Sequence, residues 1–451
     1  MHANHASDGQ IGKRTNPFGL REPGVLTESA RVFRADSGAA MTLKELLSCD
    51  GRGVVWSLDD RLRFVPQLLE SVLPCGSREI TAIRLASGRS VELVPESRPL
   101  TIEGWRQLAA LAVDDRIAVP RRIPAPVQVV EMPSPEVILL AHMIGDGSCV
   151  KRQPIRYASI DEENLAAVTA AAAHFGITAV RDEYAAARVT TLRLPAPYRL
   201  THGRRNPIAA WLDELGLFGL RSYEKFIPAS VFALPTEDVA IFLRHLWATD
   251  GSIRWDERGR QARIYYASTS LRLINDVANL LLRLEIHGRI KRVQKAGYRD
   301  CWHLTVDGAE NQCTFLTNIG AHGLRGVAGE AALAKLELMN RNTNVDTVPK
   351  EIWDKVRALL SKRGMTHRQF QSEMGSQFCG STMWKHSPSR DRLARAARIL
   401  DAPDLALLCT SEVFWDRITE ITHLGVQEVF SATVCGTGNL VADGVVVSAG
   451  V

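Results

Sequence analysis

Two stretches of similar design decide how this chain folds: LLAHMIGDGS at 139–148 and LRHLWATDGS at 243–252. Each is an apolar run of helical length that ends in Asp-Gly-Ser. After a charged segment, each leads to a Tyr-Ala-Ser phrase that begins at Tyr157 in the first copy and at Tyr266 in the second. The aspartates Asp146 and Asp250 lie 104 positions apart, and the two tyrosines lie 109 apart. We therefore predict an internal duplication, with about five extra residues in the second hairpin.

The two aspartates occupy unfavourable positions. A carboxylate in the last turn of a helix faces the negative end of the helix dipole. The glycine that follows can adopt the left-handed conformation that ends helices. Two such ends brought together place two carboxylates side by side, which is costly unless a cation lies between them. Ala141 and Gly145 would let the helices approach closely, whereas the second copy has His245 and Ala248. We predict two packed helices that present one carboxylate each to a divalent metal. The alternative is two core helices capped by Asp-Gly turns.

These residues resemble the paired motifs of LAGLIDADG (DOD-type) homing endonucleases. From about Val25 onwards, the chain resembles an intein with such an endonuclease inserted, in particular the actinobacterial replicative-helicase inteins. The resemblance implies an α+β multidomain fold: a split all-β Hint domain, a two-repeat αββαββα endonuclease and a helix-turn-helix-like module. The expected segments are disordered residues 1–24, Hint residues 25–130, endonuclease residues 131–345, the helical module at 346–410 and the closing Hint residues 411–451.

Composition is compatible with this organisation. The chain has 451 residues and a net charge of +5, which fits a nucleic-acid partner without requiring one. Its eight cysteines show neither zinc-ligand spacing nor a disulfide framework. No apolar run reaches membrane length, and the N-terminus lacks a signal core, so we expect a cytoplasmic protein with no membrane partner.

Local patterns outside the repeats predict further elements. A hairpin is expected at 80–85 and 91–94, a short helix near 108–113, a strand at 115–119, a proline-rich linker at 121–135 and a helix at 207–217. Residues 350–400 include eleven Lys and Arg but only four Asp and Glu. In the same segment, Thr366 is placed to cap a helix. This excess predicts a DNA backbone surface, with Arg368, Lys385 and Arg390 as phosphate contacts. The alternative is a basic helical spacer.

The resemblance also implies roles within the endonuclease. Asp146 and Asp250 would bind Mg²⁺ on either side of the central minor groove of double-stranded DNA, where the metals activate water. Lys225, in the phrase EKFIP at 224–228, would help neutralise charge on the phosphate. A lysine in this setting is otherwise a solvated surface charge. Six arginines that follow the motifs would contact phosphates and bases in the major groove: Arg152, Arg156, Arg254, Arg258, Arg260 and Arg263.

The positions that perform protein splicing in inteins have changed here. Splicing needs a thiol or hydroxyl at the first residue of the intein, because an acyl shift requires a nucleophile. The matching position is Val25, and the helper-histidine region reads PESRP, with Ser97 at its centre. The closing block in the family ends in His-Asn followed by Cys, Ser or Thr, with another histidine in the block before it. The corresponding residues here are Ser448, Ala449, Gly450 and Gly438.

The sequence therefore predicts a free-standing or relic protein that is monomeric and has internal pseudo-two-fold symmetry. Its expected activity is a staggered, Mg²⁺-dependent double-strand break at a specific DNA site, carried in a splicing-inactive scaffold. Three alternatives remain open at this point. They are a non-cleaving sequence-specific DNA-binding protein, a protein that still processes itself, and a degenerate remnant with neither activity.

Overall fold

The structure is a computed structural model that describes residues 24–49, 51–182, 188–201, 203–294, 296–339, 346–377 and 380–450. All of the predicted disordered segment except Gly24 lies outside these ranges. The fold is mixed, with thirteen α-helices and several antiparallel sheets in the described residues. None of the helices in these ranges is both long and apolar enough to span a bilayer.

Both ends of the chain build one β-rich body. Its elements are β1 (Gly24–Thr27), β2 (Arg31–Phe33), β3 (Ala40–Thr42), α1 (Leu43–Ser48), β4 (Gly53–Leu58), β5 (Phe64–Leu85), β6 (Ser90–Leu93), β7 (Leu100–Thr101), β8 (Gly104–Trp105) and β9 (Arg116–Pro120). The closing elements, which follow the helices described below, are β18 (Val413–Val434), β19 (Asn439–Ala442) and β20 (Val445–Ser448). A six-stranded sheet has the order β4-β5-β6-β1-β18-β9, and a four-stranded sheet has the order β20-β19-β2-β3.

The long strands β5 and β18 hold this body together. Each has 22 residues, and they pair antiparallel from Leu85 opposite Ile418 to Leu69 opposite Val434. The predicted hairpin is present as β5 and β6, with Ile83 opposite Val91. The predicted short helix is instead a single 3₁₀ turn at Leu108–Ala110, with Trp105 in a strand.

The duplicated unit contains two copies of one element order. The first copy has α2 (Ser134–Ile144), β10 (Gly147–Ser148), β11 (Arg156–Ser159), α3 (Glu162–His174), β12 (Val180–Asp182), β13 (Thr190–Arg193) and α4 (Pro207–Glu214). A short helix, α5 (Ala229–Phe232), links it to the second copy. That copy has α6 (Thr236–Asp250), β14 (Gly251–Asp256), β15 (Gln261–Ser268), α7 (Leu271–Arg283), β16 (Gly288–Val293), β17 (Cys301–Val306) and α8 (Ala309–Asn318), followed by α9 (Leu324–Glu337).

The strand register shows how closely the copies correspond. Gly147 pairs with Tyr157 in the first copy, and Gly251 pairs with Tyr266 in the second. Both four-stranded sheets place their strands in the order first, second, fourth, third. The extra residues of the second copy lengthen the β14–β15 hairpin, because its paired strands extend to Asp256 and Gln261. The predicted duplication is therefore present in the backbone.

Four helices form a small module that packs on the β-rich body. They are α10 (Ile352–Lys362), α11 (His367–Glu373), α12 (Arg390–Ile399) and α13 (Pro403–Thr410). The predicted cap is present: Thr366 accepts a hydrogen bond from the Gln369 amide, and the Gln369 side chain accepts one from the Thr366 amide. The buried side chains of Trp353 and Phe370 lie in one hydrophobic core with Trp415 of β18. The module is thus packed against the strand that follows it.

Polar contacts join the β-rich body to the duplicated unit. Arg31 Nη2 lies 3.4 Å from Asp276 Oδ1 on α7, and the Asp276 carboxylate also accepts a hydrogen bond from the Ile227 amide. At the β5–β6 turn, the Ile290 amide donates to Ser87 O at 2.7 Å. These contacts attach the second repeat to the β-rich body.

Candidate functional site

The two motif helices cross in very close contact. A Cβ atom placed on Gly145 would lie 2.0 Å from Thr249 Oγ1, so only glycine fits there. We predicted that the glycine after each aspartate adopts the left-handed conformation, and this prediction is wrong. Gly251 has an extended backbone with φ −79°, and Gly147 has no positive φ. They are needed for space: a Cβ on Gly147 would lie 2.5 Å from Met143 Cα, and one on Gly251 would lie 2.3 Å from Trp247 O.

We expect Gly145→Ala to lower the free energy of unfolding by about 1–3 kcal/mol, the usual cost of overpacking a close contact. Urea denaturation followed by tryptophan fluorescence measures the change. Adding Thr249→Gly should restore part of the loss, because it removes the side chain that the new methyl group meets. A Gly145→Ala protein as stable as the unchanged chain would contradict the close crossing.

The crossing brings the ends of both helices, and with them the two acids, to one place. The helix α2 ends at Ile144, so Asp146 lies two residues beyond it, whereas Asp250 is the last residue of α6. Burial and the negative charge of Asp250 raise the pKa of Asp146 to about 6. Burial also raises the pKa of Asp250, although its side chain still reaches solvent. The carboxylates are therefore near enough to repel each other in a partly desolvated recess.

Lys225 is buried beneath this recess instead of being a solvated surface charge. Its Nζ donates toward the carbonyl oxygens of Met143, Ile144, Gly145 and Gly147 at 2.8–3.1 Å. A cation at the C-terminal end of a helix is favourable, because the free carbonyl groups carry partial negative charge there. Burial lowers the pKa of the Lys225 ammonium, while Asp250 and Asp146 act to raise it. Lys225 thus holds the backbone that positions Asp146.

Arg325 is the counterpart of Lys225 in the second copy, and sequence reasoning missed it. Its guanidinium donates to Ala248 O at the end of α6, and Asn164 Nδ2 donates to the same oxygen at 3.2 Å. Both cations act to lower the pKa of the two acids. The N-cap residue of a helix in the opposite repeat anchors the backbone at each cation. Ser270, which caps α7 of the second repeat, donates its Oγ hydrogen to Lys225 O. Asp161, which caps α3 of the first repeat, accepts from the amide of Leu324, next to Arg325.

Buried histidines line the same seam below the acids. His142 Nε2 lies 3.0 Å from His245 Nδ1, and His142 Nδ1 lies 3.0 Å from the Tyr157 hydroxyl. The ring of His322 stacks at a tilt 4.5 Å from that of His245. Burial lowers the pKa of His245 to about 3 and that of His142 well below its ordinary value, so both rings are neutral at physiological pH.

The six arginines that follow the motifs are all exposed, but they differ in their partners. Arg156 lies on β11, Arg254 on β14 and Arg263 on β15, where the last two are directly opposite each other. Arg263 pairs with Asp256 at 2.9 Å. The other three lie in the turns that join these strands: Arg152, Arg258 and Arg260.

The helical module includes one correction to the predicted contacts. Arg368 and Lys385 are exposed, but the side chain of Arg390 is only 10% exposed. Its guanidinium is bound to Asp346 and donates to the carbonyl oxygens of Leu408 and Val413, at the junction of α13 with β18. Arg390 fastens the module to the β-rich body, so a phosphate-contact role does not fit it.

The positions of the altered splicing residues also come together. A Cβ on Gly24 would lie 1.8 Å from Ser448 O, so the start of β1 touches the end of β20. Ser97 Oγ donates to Val25 O at 3.2 Å. Ala449 is buried, and its amide donates to Gly438 O at 2.8 Å, while the Gly450 amide donates to Ala432 O at 2.8 Å. The side chains at Val25 and Ala449 offer no nucleophilic atom at this junction.

Sequence comparison identifies part of the duplicated unit. The family description of the LAGLIDADG-like domain matches residues 237–320, which contain the second motif and its sheet. This segment is therefore a LAGLIDADG-like domain.

Within the described residues, no group of three or more His, Cys, Asp or Glu side chains could hold a metal ion. The protein thus supplies two carboxylates at the recess and not a complete ligand cage.

Several longer proteins are similar to almost the whole of this chain. The chain is 35% identical over 455 residues to the replicative DNA helicase DnaB of Synechocystis sp., across 98% of this chain and 51% of the relative. It is 37% identical to DnaB of Rhodothermus marinus, across 96% and 46%. It is 25% identical to RecA of Mycobacterium tuberculosis, across 97% and 57%. The chain spans about half the length of these curated relatives. The helicase resemblance thus holds for DnaB, but its restriction to actinobacterial inteins is not supported.

Two solved structures show a limited similarity to this chain. A DnaB intein from Synechocystis sp. is 23% identical with a TM-score of 0.21, across 22% of this chain and 70% of that chain. The homing endonuclease I-DmoI in complex with DNA and Mn is 13% identical with a TM-score of 0.28, across 41% and 96%.

Proposed function

We propose that this chain is a site-specific homing endonuclease that cuts both strands of duplex DNA, carried in a splicing-inactive intein-like scaffold. The observation that carries the proposal is the meeting of Asp146 and Asp250 at the seam of the paired helices. Their pKa values are raised, and each helix end is held by its own cation, the buried Lys225 or the half-buried Arg325. The LAGLIDADG-like match at 237–320 supports the same class of activity.

The residues at the recess fit a magnesium ion. Mg²⁺ keeps several waters and is commonly bound through one or two carboxylates together with substrate phosphates. Two acidic side chains without further protein ligands match that pattern. A bound divalent cation would also relieve the repulsion that raises the pKa of Asp146. When present, the metal would polarise the scissile phosphate and lower the pKa of an attacking water.

The chain's own groups would then position the reaction. Asp146 and Asp250 would each hold one side of the site, so that the two strands are cut at staggered positions across the minor groove. Lys225 and Arg325 would fix the helix ends and offset negative charge that gathers near the phosphates. The exposed arginines that follow each motif would contact the DNA backbone and base edges. Arg368 and Lys385 would add phosphate contacts from the helical module.

Loss of splicing follows from the junction residues. Val25 cannot start an acyl shift, and Ala449 has no side-chain amide to cyclise. We expect the purified chain to keep its full mass during incubation with a thiol such as dithiothreitol. Mass spectrometry checks this directly. A fragment that begins at Val25 would show that the junction is still cleaved.

Plasmid cleavage tests the proposal. The substrate is a supercoiled plasmid with a DnaB helicase gene, such as that of Synechocystis sp., from which the segment that matches this chain has been removed. We expect Mg²⁺-dependent linearisation at one position, absent from a plasmid without that gene. A plasmid that migrates more slowly in the gel but is not cut would instead indicate a non-cleaving DNA-binding protein. The basic surface of α10–α12 favours this as the second candidate.

The raised pKa of Asp146 predicts how metal should stabilise the protein at different pH. Without metal, this carboxyl favours its neutral form, so its contribution to folding stability falls as pH rises from about 4 to about 6 and stays low above that. After allowance for solvent screening, the cost of ionisation is about 1–2 kcal/mol. We expect 10 mM Mg²⁺ to raise Tm by about 2–5 °C at pH 8, with the rise vanishing below pH 6. Differential scanning calorimetry measures it, and an equal rise at pH 5 would contradict the assignment.

A further inference from the structure

The first repeat contains a cavity beside a segment that is much shorter in the second repeat. In the first repeat, residues 194–206 separate β13 from α4, whereas in the second only Asp307 and Gly308 separate β17 from α8. The inserted segment, the β10–β11 turn and Phe218 enclose a cavity of about 740 Å³. This volume lies within the usual range for ligand sites, about 300–1,000 Å³.

The lining of this cavity is cationic and apolar. Four of its residues are arginines, and none is acidic. We call it the arginine pocket and define it by Arg152, Arg193, Arg204 and Arg205. Its apolar surface includes Ile155, Leu194 and Leu200, of which Leu200 is 58% exposed. Ile155 and Leu194 are almost fully buried, so Leu200 supplies the exposed part of this apolar floor. Positive groups beside it suit a ligand that carries both phosphate and an apolar part.

Several contacts prearrange the pocket. The guanidinium carbon of Arg204 lies 3.7 Å from the centre of the Tyr198 ring, and the Tyr198 hydroxyl donates to Arg205 O at 2.8 Å. Asn206 Nδ2 donates to Leu194 O at 2.8 Å, while its Oδ1 caps α4. In the described ranges neither Arg152 nor Arg204 pairs with a carboxylate, so both charges are available to an anion.

The pocket is continuous with the proposed DNA surface. Arg193 lies directly opposite Arg156 on the neighbouring strand β11, and the β10–β11 turn that holds Arg152 comes directly after the first motif. Arg193 is paired with Asp182 and Arg205 with Asp213, at 2.5 and 2.7 Å. The positive charge that leads an anion from this sheet to the pocket therefore comes from Arg156, Arg152 and Arg204. Duplex DNA presents one such anion, because its backbone alternates phosphate with deoxyribose.

We infer that the arginine pocket binds the sugar–phosphate backbone of DNA that flanks the cleaved step on the side of the first repeat. This inference rests on the proposed function and adds to it an asymmetric footprint. Phosphates contact Arg152 and Arg204, and the deoxyribose packs on the apolar floor. The second repeat has no equivalent segment, so DNA on its side lacks these outer contacts. The chain therefore contacts a longer stretch of DNA on one flank than on the other.

Hydroxyl-radical footprinting without added Mg²⁺, with the iron held in its EDTA chelate, tests the inference, and a fragment of the helicase-gene plasmid is the probe. We expect the unchanged chain to protect a longer stretch on one flank, and Arg204→Gln to lose only that outer protection. The same variant should reduce the slope of log affinity against log salt by about 0.9, the value for one phosphate contact. The control is Arg106→Gln, which removes an exposed arginine of the β-rich body that is paired with Glu103.

The outcomes separate this inference from the proposed function. If Arg204→Gln gives an unchanged footprint and salt slope, the pocket does not bind the backbone, even when the plasmid is still cleaved. If protection is equal on both flanks in the unchanged chain, the asymmetric footprint is wrong. Absence of duplex binding by the unchanged chain at low salt would overturn the inference together with the nuclease. A second variant, Tyr198→Phe, keeps the ring under Arg204 and should retain the outer protection, which shows that the segment is folded.

Discussion

Replacing Asp146 with asparagine is expected to reduce cleavage of the helicase-gene plasmid by about 10³-fold or more, because the metal's several kcal/mol of charge stabilisation would be lost. Asp250→Asn should have a similar effect, since the two acids hold equivalent positions in the repeats. Duplex binding should change by no more than about threefold, as asparagine removes no phosphate contact. Agarose-gel cleavage kinetics and fluorescence anisotropy measure the two quantities.

Asp404→Asn provides the matched control for this prediction. It removes the same charge from an exposed position in the first turn of α13. Its cleavage rate should equal that of the unchanged chain. The Asp146→Asn protein should also be more stable than the unchanged chain at pH 8 without metal, because the carboxylate is destabilising there. A variant that loses activity and also loses stability would indicate damage to the fold instead of loss of a metal ligand.

Lys225→Met is expected to lower the free energy of unfolding by about 3 kcal/mol, because buried carbonyl groups at the end of α2 would lose a charged donor. Methionine keeps most of the apolar stem, so the loss reports on the ammonium. Urea denaturation followed by circular dichroism gives the stability. Lys335→Met is the matched control. Lys335 pairs with Glu257 at the surface, and its loss should cost no more than about 1 kcal/mol.

The same variant should weaken the site as well as the fold. Without Lys225, the backbone around Gly145 and Gly147 is free to shift, and Asp146 shifts with it. We expect the half-saturating Mg²⁺ concentration for cleavage to rise about tenfold, which corresponds to roughly 1.4 kcal/mol. Lys225→Arg should recover part of both losses, because guanidinium also donates to carbonyl groups. A Lys225→Met protein with unchanged stability would contradict the buried contacts.

Local signals in the sequence predicted much of the duplicated unit. Hydrophobic runs of helical length marked α2 and α6, and the repeated Tyr-Ala-Ser phrases marked strands that pair in the same register. Thr366 was predicted as a cap because capping depends on residues within one turn. Signals of this kind involve neighbours along the chain, so a single sequence contains them.

Contacts between distant segments could not be predicted in this way. Arg325 lies 77 positions from Ala248, and no pattern marks it as the partner of a helix end. Arg390 was assigned to the surface because a basic helix does not show which of its charges points inward. Its acceptors belong to the end of α13 and the start of β18. Gly147 and Gly251 were explained by backbone conformation, whereas close contacts with Met143 and Trp247 of their own helices require them for space.

The most direct test of the paired acids is a titration with Mn²⁺, followed by the electron paramagnetic resonance signal of the free ion, in the presence of duplex DNA from the helicase-gene plasmid. We predict saturable binding at pH 8 by the unchanged chain that is lost in the Asp146→Asn/Asp250→Asn double variant and retained in Asp404→Asn. Equal Mn²⁺ binding by the double variant and the unchanged chain would contradict the metal site at the helix seam.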